Sequence, residues 1–138
     1  MKIFGILAAL ALAVTLMASP AAHAQSSCWN HNGSVMRVTF SGSNIRIVYQ
    51  RPRQVLRRAG VRRGTLLLDA RERGGVYRGT ARRFSRFCPQ SPLPYSVSGQ
   101  LIGDYSLEFE GYRPVHNRCR ATGRTEYDEL FFDYIGPC

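Results

Sequence analysis

After its second residue this sequence contains no lysine; every other cationic side chain that is charged at any pH is arginine. It has a single tryptophan and, beyond residue 24, only two histidines. No C-x-x-C, no G-x-S-x-G and no pair of histidines at ligand spacing occurs. A cysteine-built zinc site wants closely spaced pairs, and an α/β-hydrolase marks its nucleophile by G-x-S-x-G, so neither chemistry has its signature here. There is no low-complexity tract and no internal repeat. Beyond residue 24 no apolar run approaches the roughly 20 residues that cross a bilayer as a helix. Nothing points to a bound metal or an organic cofactor.

What is present begins with Met1-Lys2, an apolar run over 3–17, and then Ser19-Pro20-Ala21-Ala22-His23-Ala24. A short positive start, an apolar stretch and a small-x-small site ending at Ala24 predict a cleavable signal peptide over 1–24. The run is too short for a membrane anchor and breaks at Pro20. Gln25, not cysteine, follows the cleavage site, which argues against a lipid anchor there. Residues 25–138 then form one domain of 114 residues, enough for a single core. The expected location is periplasmic or secreted, with no transmembrane segment after cleavage.

Cys28, Cys88, Cys119 and Cys138 all lie in that domain. An even cysteine count in a small exported chain predicts two disulfides, and four cysteines allow three pairings. Eight up-and-down strands would bring both ends of the chain to one end of a barrel, giving Cys28–Cys138 and leaving Cys88–Cys119. Seven strands would defeat that pairing.

Alternation of period two recurs along the chain. Met36, Val38 and Phe40 alternate with polar residues, as do Ile45, Ile47 and Tyr49 after the turn Ser41-Gly42-Ser43-Asn44, a first hairpin. Strands over 65–70 and 76–84 flank Glu72-Arg73-Gly74-Gly75, a second. Residues 95–101 and 105–111 surround a turn at Gly103-Asp104. A short strand over 115–120, a turn at Ala121-Thr122-Gly123-Arg124 and a last strand over 126–135 follow. Pro52 ahead of 53–59 and Gly60 after it predict one short helix. The proline-rich stretch 89–94 reads as an ordered crossover. The fold class is therefore all-β: a small antiparallel barrel or sandwich of seven to eight strands with one short helix and two disulfides.

Charge is unevenly spread. Without Lys2 the chain carries 18 Arg against 9 acids, a net charge of +9. Twelve of those arginines, but only Asp69 and Glu72 among the acids, fall between residues 51 and 86, whereas 87–138 holds four arginines and seven acids. Such asymmetry predicts a basic face. Its candidate anion-binding residues are Arg51, Arg53, Arg57, Arg58, Arg62, Arg63, Arg78, Arg82, Arg83 and Arg86. Guanidinium forks suit phosphate and carboxylate oxygens, and Tyr77, Phe84 and Phe87 are interleaved with them. The plain alternative is a set of solvated arginines supplied by a GC-rich genome. Outside the cytoplasm the matching partners are an anionic polymer (lipopolysaccharide or an acidic glycan) or an acidic protein, ahead of nucleic acid. Reversing Arg57, Arg58, Arg62 and Arg63 to Glu is expected to remove such binding without unfolding.

Cys28-Trp29-Asn30-His31-Asn32-Gly33-Ser34 combines a tryptophan beside a disulfide, which favours core packing, with a turn signal at Asn32-Gly33. Its functional reading makes Trp29 and His31 a binding rim. No catalytic residue is assigned: His31 and His116 lack a nameable nucleophile and orienting acid, and Glu108 and Glu110 share one strand face. A non-enzymatic exported binding module is thus the first reading. The alternatives are an inhibitor of a secreted or periplasmic enzyme acting through loops 29–33 and 89–94, and a small hydrolase using His31 or His116.

The stretches Ser27-Cys28-Trp29-Asn30-His31-Asn32-Gly33-Ser34, Gly60-Val61-Arg62-Arg63-Gly64-Thr65-Leu66-Leu67-Leu68-Asp69, Tyr77-Arg78-Gly79-Thr80-Ala81 and Phe84-Ser85-Arg86-Phe87-Cys88-Pro89 resemble a group of small uncharacterised exported proteins of Gram-negative bacteria. A similar module is appended to some caspase-like proteins. The usual pattern has Asp where this chain has Asn30, which removes a charge beside His31. The resemblance implies a self-contained exported module and transfers no catalytic residue.

Overall fold

The computed structural model describes residues 24–138; the signal peptide expected over 1–24 lies outside the described residues except for Ala24. Eight strands follow one another: β1 (Gln25–His31), β2 (Ser34–Ser41), β3 (Asn44–Arg51), β4 (Leu66–Arg73), β5 (Val76–Ser85), β6 (Cys88–Ile102), β7 (Ser106–Asn117) and β8 (Arg120–Gly136). Each pairs antiparallel with the next, and β8 returns to β1, so the sheet closes as an up-and-down barrel. That removes the sandwich and the seven-strand alternatives. The short helix α1 (Gln54–Arg58) sits in the β3–β4 connection. No helix among the described residues is long and apolar enough to cross a membrane.

Alternation sorts the side chains. Met36, Val38, Ile45, Ile47, Leu68, Leu107, Phe109, Leu130 and Phe132 fill the interior, while Arg46, Glu108, Glu110, Glu129 and Phe131 face out. Closing so small a sheet needs sharp local bending. Gly99 lies opposite Phe109, and a Cβ there would overlap the Glu108 carbonyl oxygen and the Phe109 ring. Gly79 and Gly111 approach neighbouring backbone as closely, so three strands bend where no side chain intervenes. The Asn32-Gly33 reversal has φ of 48° and 82°, the paired positive values of a two-residue hairpin turn.

Three expectations are corrected. Residues 89–94 are strand, not crossover: β6 begins at Cys88, and Leu93 and Pro94 pair with Arg83 and Arg82 of β5. Pairing with β7 starts only at Ser98, so the prolines lie where one side of β6 has no ladder to lose. The separate strand over 115–120 does not exist, because β7 runs on to Asn117 and the chain reverses at Arg118-Cys119. The turn-like residues around Gly123 form a bulge in β8 instead: Pro114 faces Thr125 while His116 faces Ala121, and the Thr122 hydroxyl donates to the Val115 carbonyl. The eighth strand is β1, which polar Gln25-Ser26-Ser27 hid from a hydrophobic pattern.

Cys28–Cys138 and Cys88–Cys119 are the two disulfides, the pairing expected for eight up-and-down strands, with no free cysteine among the described residues. The first ties β1 to the chain's end. The second joins the β5–β6 reversal to the β7–β8 reversal across the gap where β6 and β7 part. The reversals at 32–33, 86–87 and 118–119 share one end of the barrel, the mouth, with α1; the other three and Cys28–Cys138 share the opposite end.

Candidate functional site

Inward alternation does not stop where the apolar core does. On β7 the series Leu107, Phe109, Gly111 continues to Arg113; on β8 Phe132 and Leu130 lead to Asp128; on β1 Trp29 leads to His31. Tyr49 from β3 and Tyr95 from β6 join them, and together they line an open cavity of about 470 Å³ at the mouth. Its outer wall carries Arg53, Arg82, Arg83, Arg86, Phe84 and Phe87, with Leu56 of α1. The segment containing α1 is held over this end by Val61, which is fully buried, and by the Gln90 N–H donating to the Ala59 carbonyl.

The polar groups are ordered by one another. The Tyr95 hydroxyl donates to Asp128 Oδ2 at 2.6 Å. Arg113 donates through Nη2 to Glu126 Oε2 at 2.8 Å, and its Nε stands 4.0 Å from Asp128 Oδ1. The Arg113 side chain is only 19% exposed, and its Nη1 is buried without a hydrogen-bond partner. A buried donor left unmade costs about 1–3 kcal/mol, more when charged.

His31 is fixed twice. Its ring stacks on Phe132 with centroids 4.4 Å apart, and its Nδ1 lies 2.8 Å from the Phe131 carbonyl oxygen. A carbonyl can only accept, so Nδ1 carries the proton. Burial lowers the His31 pKa from 6.5, with Arg53 adding to the shift, against the opposing pull of the Phe131 carbonyl and Asp128. The imidazole is therefore neutral at pH 7, with Nε2 as an acceptor. Burial likewise pushes the Tyr49 hydroxyl up to about 12, and burial with the Asp128 hydrogen bond raises that of Tyr95. Both stay protonated as donors. The cavity thus offers a guanidinium, phenolic O–H groups, an imidazole acceptor and a carboxylate.

No protein family, curated protein or solved structure matches this chain.

The expected arginine face divides into three. Arg53, Arg82, Arg83 and Arg86 reach the cavity; Arg51, Arg57, Arg58, Arg62 and Arg63 flank a separate groove beside α1; Arg78 lies on the outer wall of β5. Arg82 is engaged by Asp69 at 2.6 Å, and Arg86 lies over the Phe87 ring at 4.7 Å. Trp29 is core rather than rim: it is 2% exposed, and its indole N–H donates to Ser27 Oγ. His116 is bonded to the Pro114 carbonyl and does not line the cavity. Of the two expected inhibitory loops, 29–31 belong to β1 and 89–94 to β6, which leaves Asn32 and Gly33 as a free turn. Sequence reading missed Tyr49, Tyr95, Arg113 and Asp128 as a site. The signal was available in the alternation itself, which places Arg113 and Asp128 in phase with core residues two positions away.

Proposed function

We propose that this chain is an exported binding module for an anionic ligand, and that the barrel mouth is its binding site. The observation that carries the reading is Arg113: an inward-facing guanidinium that lines the cavity and keeps 19% of its side chain exposed. An oxygen of a bound carboxylate or phosphate would meet the exposed edge of that guanidinium, in a charge-assisted bond of the stronger kind. Arg53, Arg83 and Arg86 at the rim raise the local concentration of anions and speed their approach. Two disulfides support a life in an oxidising compartment. Envelope polymers with acidic groups, or an acidic glycan, are the ligands such a module meets there.

The test compares two variants of the oxidised protein against acidic glycans and lipopolysaccharide, titrated across salt. Arg113→Met should weaken binding by about tenfold or more at every salt concentration, in line with about 1.5–3 kcal/mol for a hydrogen bond to a charged group. Reversing Arg57, Arg58, Arg62 and Arg63 to Glu should reduce low-salt association and spare affinity at high salt. Full binding by Arg113→Met, with loss in the fourfold variant, would return the site to the groove beside α1.

A further inference from the structure

We propose that the ligand of the mouth is a hydroxylated anion, a sugar acid or sugar phosphate, whose anionic group meets Arg113 while neighbouring hydroxyls donate to Asp128 and His31. This deepens the anion-binding reading above and rests on it. The cavity presents more acceptors than a bare anion could use. His31 Nε2 must accept, because Nδ1–H is committed to the Phe131 carbonyl, and it has no partner among the described residues. Asp128 gives one oxygen to Tyr95 and keeps the other, 4.0 Å from Arg113, beyond hydrogen-bond length.

A simple carboxylate or phosphate beside Arg113 would also face the charge of Asp128. Hydroxyl groups on the same ligand resolve that conflict, since an O–H placed between the two carboxylates donates to the protein's. The Tyr49 hydroxyl makes no hydrogen bond among the described residues and can serve either a hydroxyl or the anion. Phe84, edge-on to Tyr49 with ring centroids 6.1 Å apart, adds a flat apolar wall against which the C–H face of a pyranose can lie. A volume of about 470 Å³ is in the range of about 300–1,000 Å³ typical of small-ligand sites. A fatty acid fits the charge but leaves the acceptors unpaired, and a site built to bond hydroxyls rejects ligands that lack them.

The test sets D-glucuronate against cyclohexanecarboxylate, and glucose 1-phosphate against cyclohexyl phosphate, by calorimetric or NMR titration of the oxidised protein. Within each pair charge and ring size are alike, and the members differ in their hydroxyl-bearing substituents and the ring oxygen. The hydroxylated member should bind about tenfold tighter or more, the worth of at least one net hydrogen bond, and the pair with the stronger member tells whether carboxylate or phosphate is preferred. Asp128→Asn should shrink that ratio several-fold, tightening cyclohexanecarboxylate as the opposing charge is removed, and His31→Phe should shrink it several-fold by weakening glucuronate, with the far-UV spectrum unchanged in both. Equal binding within both pairs overturns the hydroxylated-ligand proposal and leaves the anion site standing. A ratio untouched by either variant also overturns it, because the hydroxyls are then read elsewhere. No binding of any of the four overturns the anion reading as well.

Discussion

The two ends of this barrel are built from the same eight strands and the same alternation, yet they are filled differently. At the end stapled by Cys28–Cys138 the inward positions are Trp29, Met36, Val38, Leu107, Phe109 and Phe132, all buried. Trp29 meets Tyr134 edge-on, and Phe109 meets Phe132 likewise. At the mouth the same phases carry His31, Tyr49, Tyr95, Arg113 and Asp128 around open space. Apolar packing fills one end; at the other, polar residues held by one another surround open space. Local consistency gives way at the proposed binding site, the pattern expected where stability is traded for function.

Perturbing the closed end should cost the most stability and leave binding per folded molecule alone. Removing Cys28–Cys138, which closes a loop of 110 residues, should cost about 5 kcal/mol, and Cys88–Cys119, spanning 31, about 3.5–4 kcal/mol, on the loop-entropy relation. Denaturant unfolding of the Cys→Ser pairs measures both. The second loss should also weaken binding, because it frees the two reversals flanking the mouth. Trp29→Ala should cost about 3–5 kcal/mol with unchanged ligand affinity; a matching loss of affinity would show that the ends are not separable.

Tyr95→Phe at the mouth should cost less, about 1.5–3 kcal/mol, the net worth of one hydrogen bond to a charged group. Smallest of all is the effect of acid through His31. Its folded-state pKa lies below 6.5, so the unfolded chain takes up the proton first. The associated stability is present above pH 6.5 and is lost as the pH falls through the folded-state value. His31→Phe should flatten that part of the pH–stability curve, and an unchanged slope between pH 7 and 5 would show that His31 does not titrate there.

Much of the barrel was legible because its turns and strands speak the same language: Gly74-Gly75 and Ser41-Gly42-Ser43-Asn44 separate runs with clear alternation. Where the structure departs, a tertiary constraint outweighs a local signal. Cys119, pinned to Cys88, sets the β7–β8 reversal four residues before Gly123, so the glycine serves a bulge. Pro92 and Pro94 read as strand breakers, but β6 has parted from β7 there. Among the arginines, charge density drew attention to 51–86, while the inward-facing Arg113 sits among the acids of the other half. A run of charge marks where anions are attracted; only the phase of a strand says which guanidinium is buried.

The proposed place of the anion is the mouth. Backbone amide shifts, followed by NMR while the oxidised protein is titrated with glucuronate at salt well above physiological, test it most directly. Saturating shifts are expected at residues 31–33, 111–114 and 126–130, with little change over 57–63. Shifts confined to 57–63, or scattered over the arginines and abolished by salt, would contradict it.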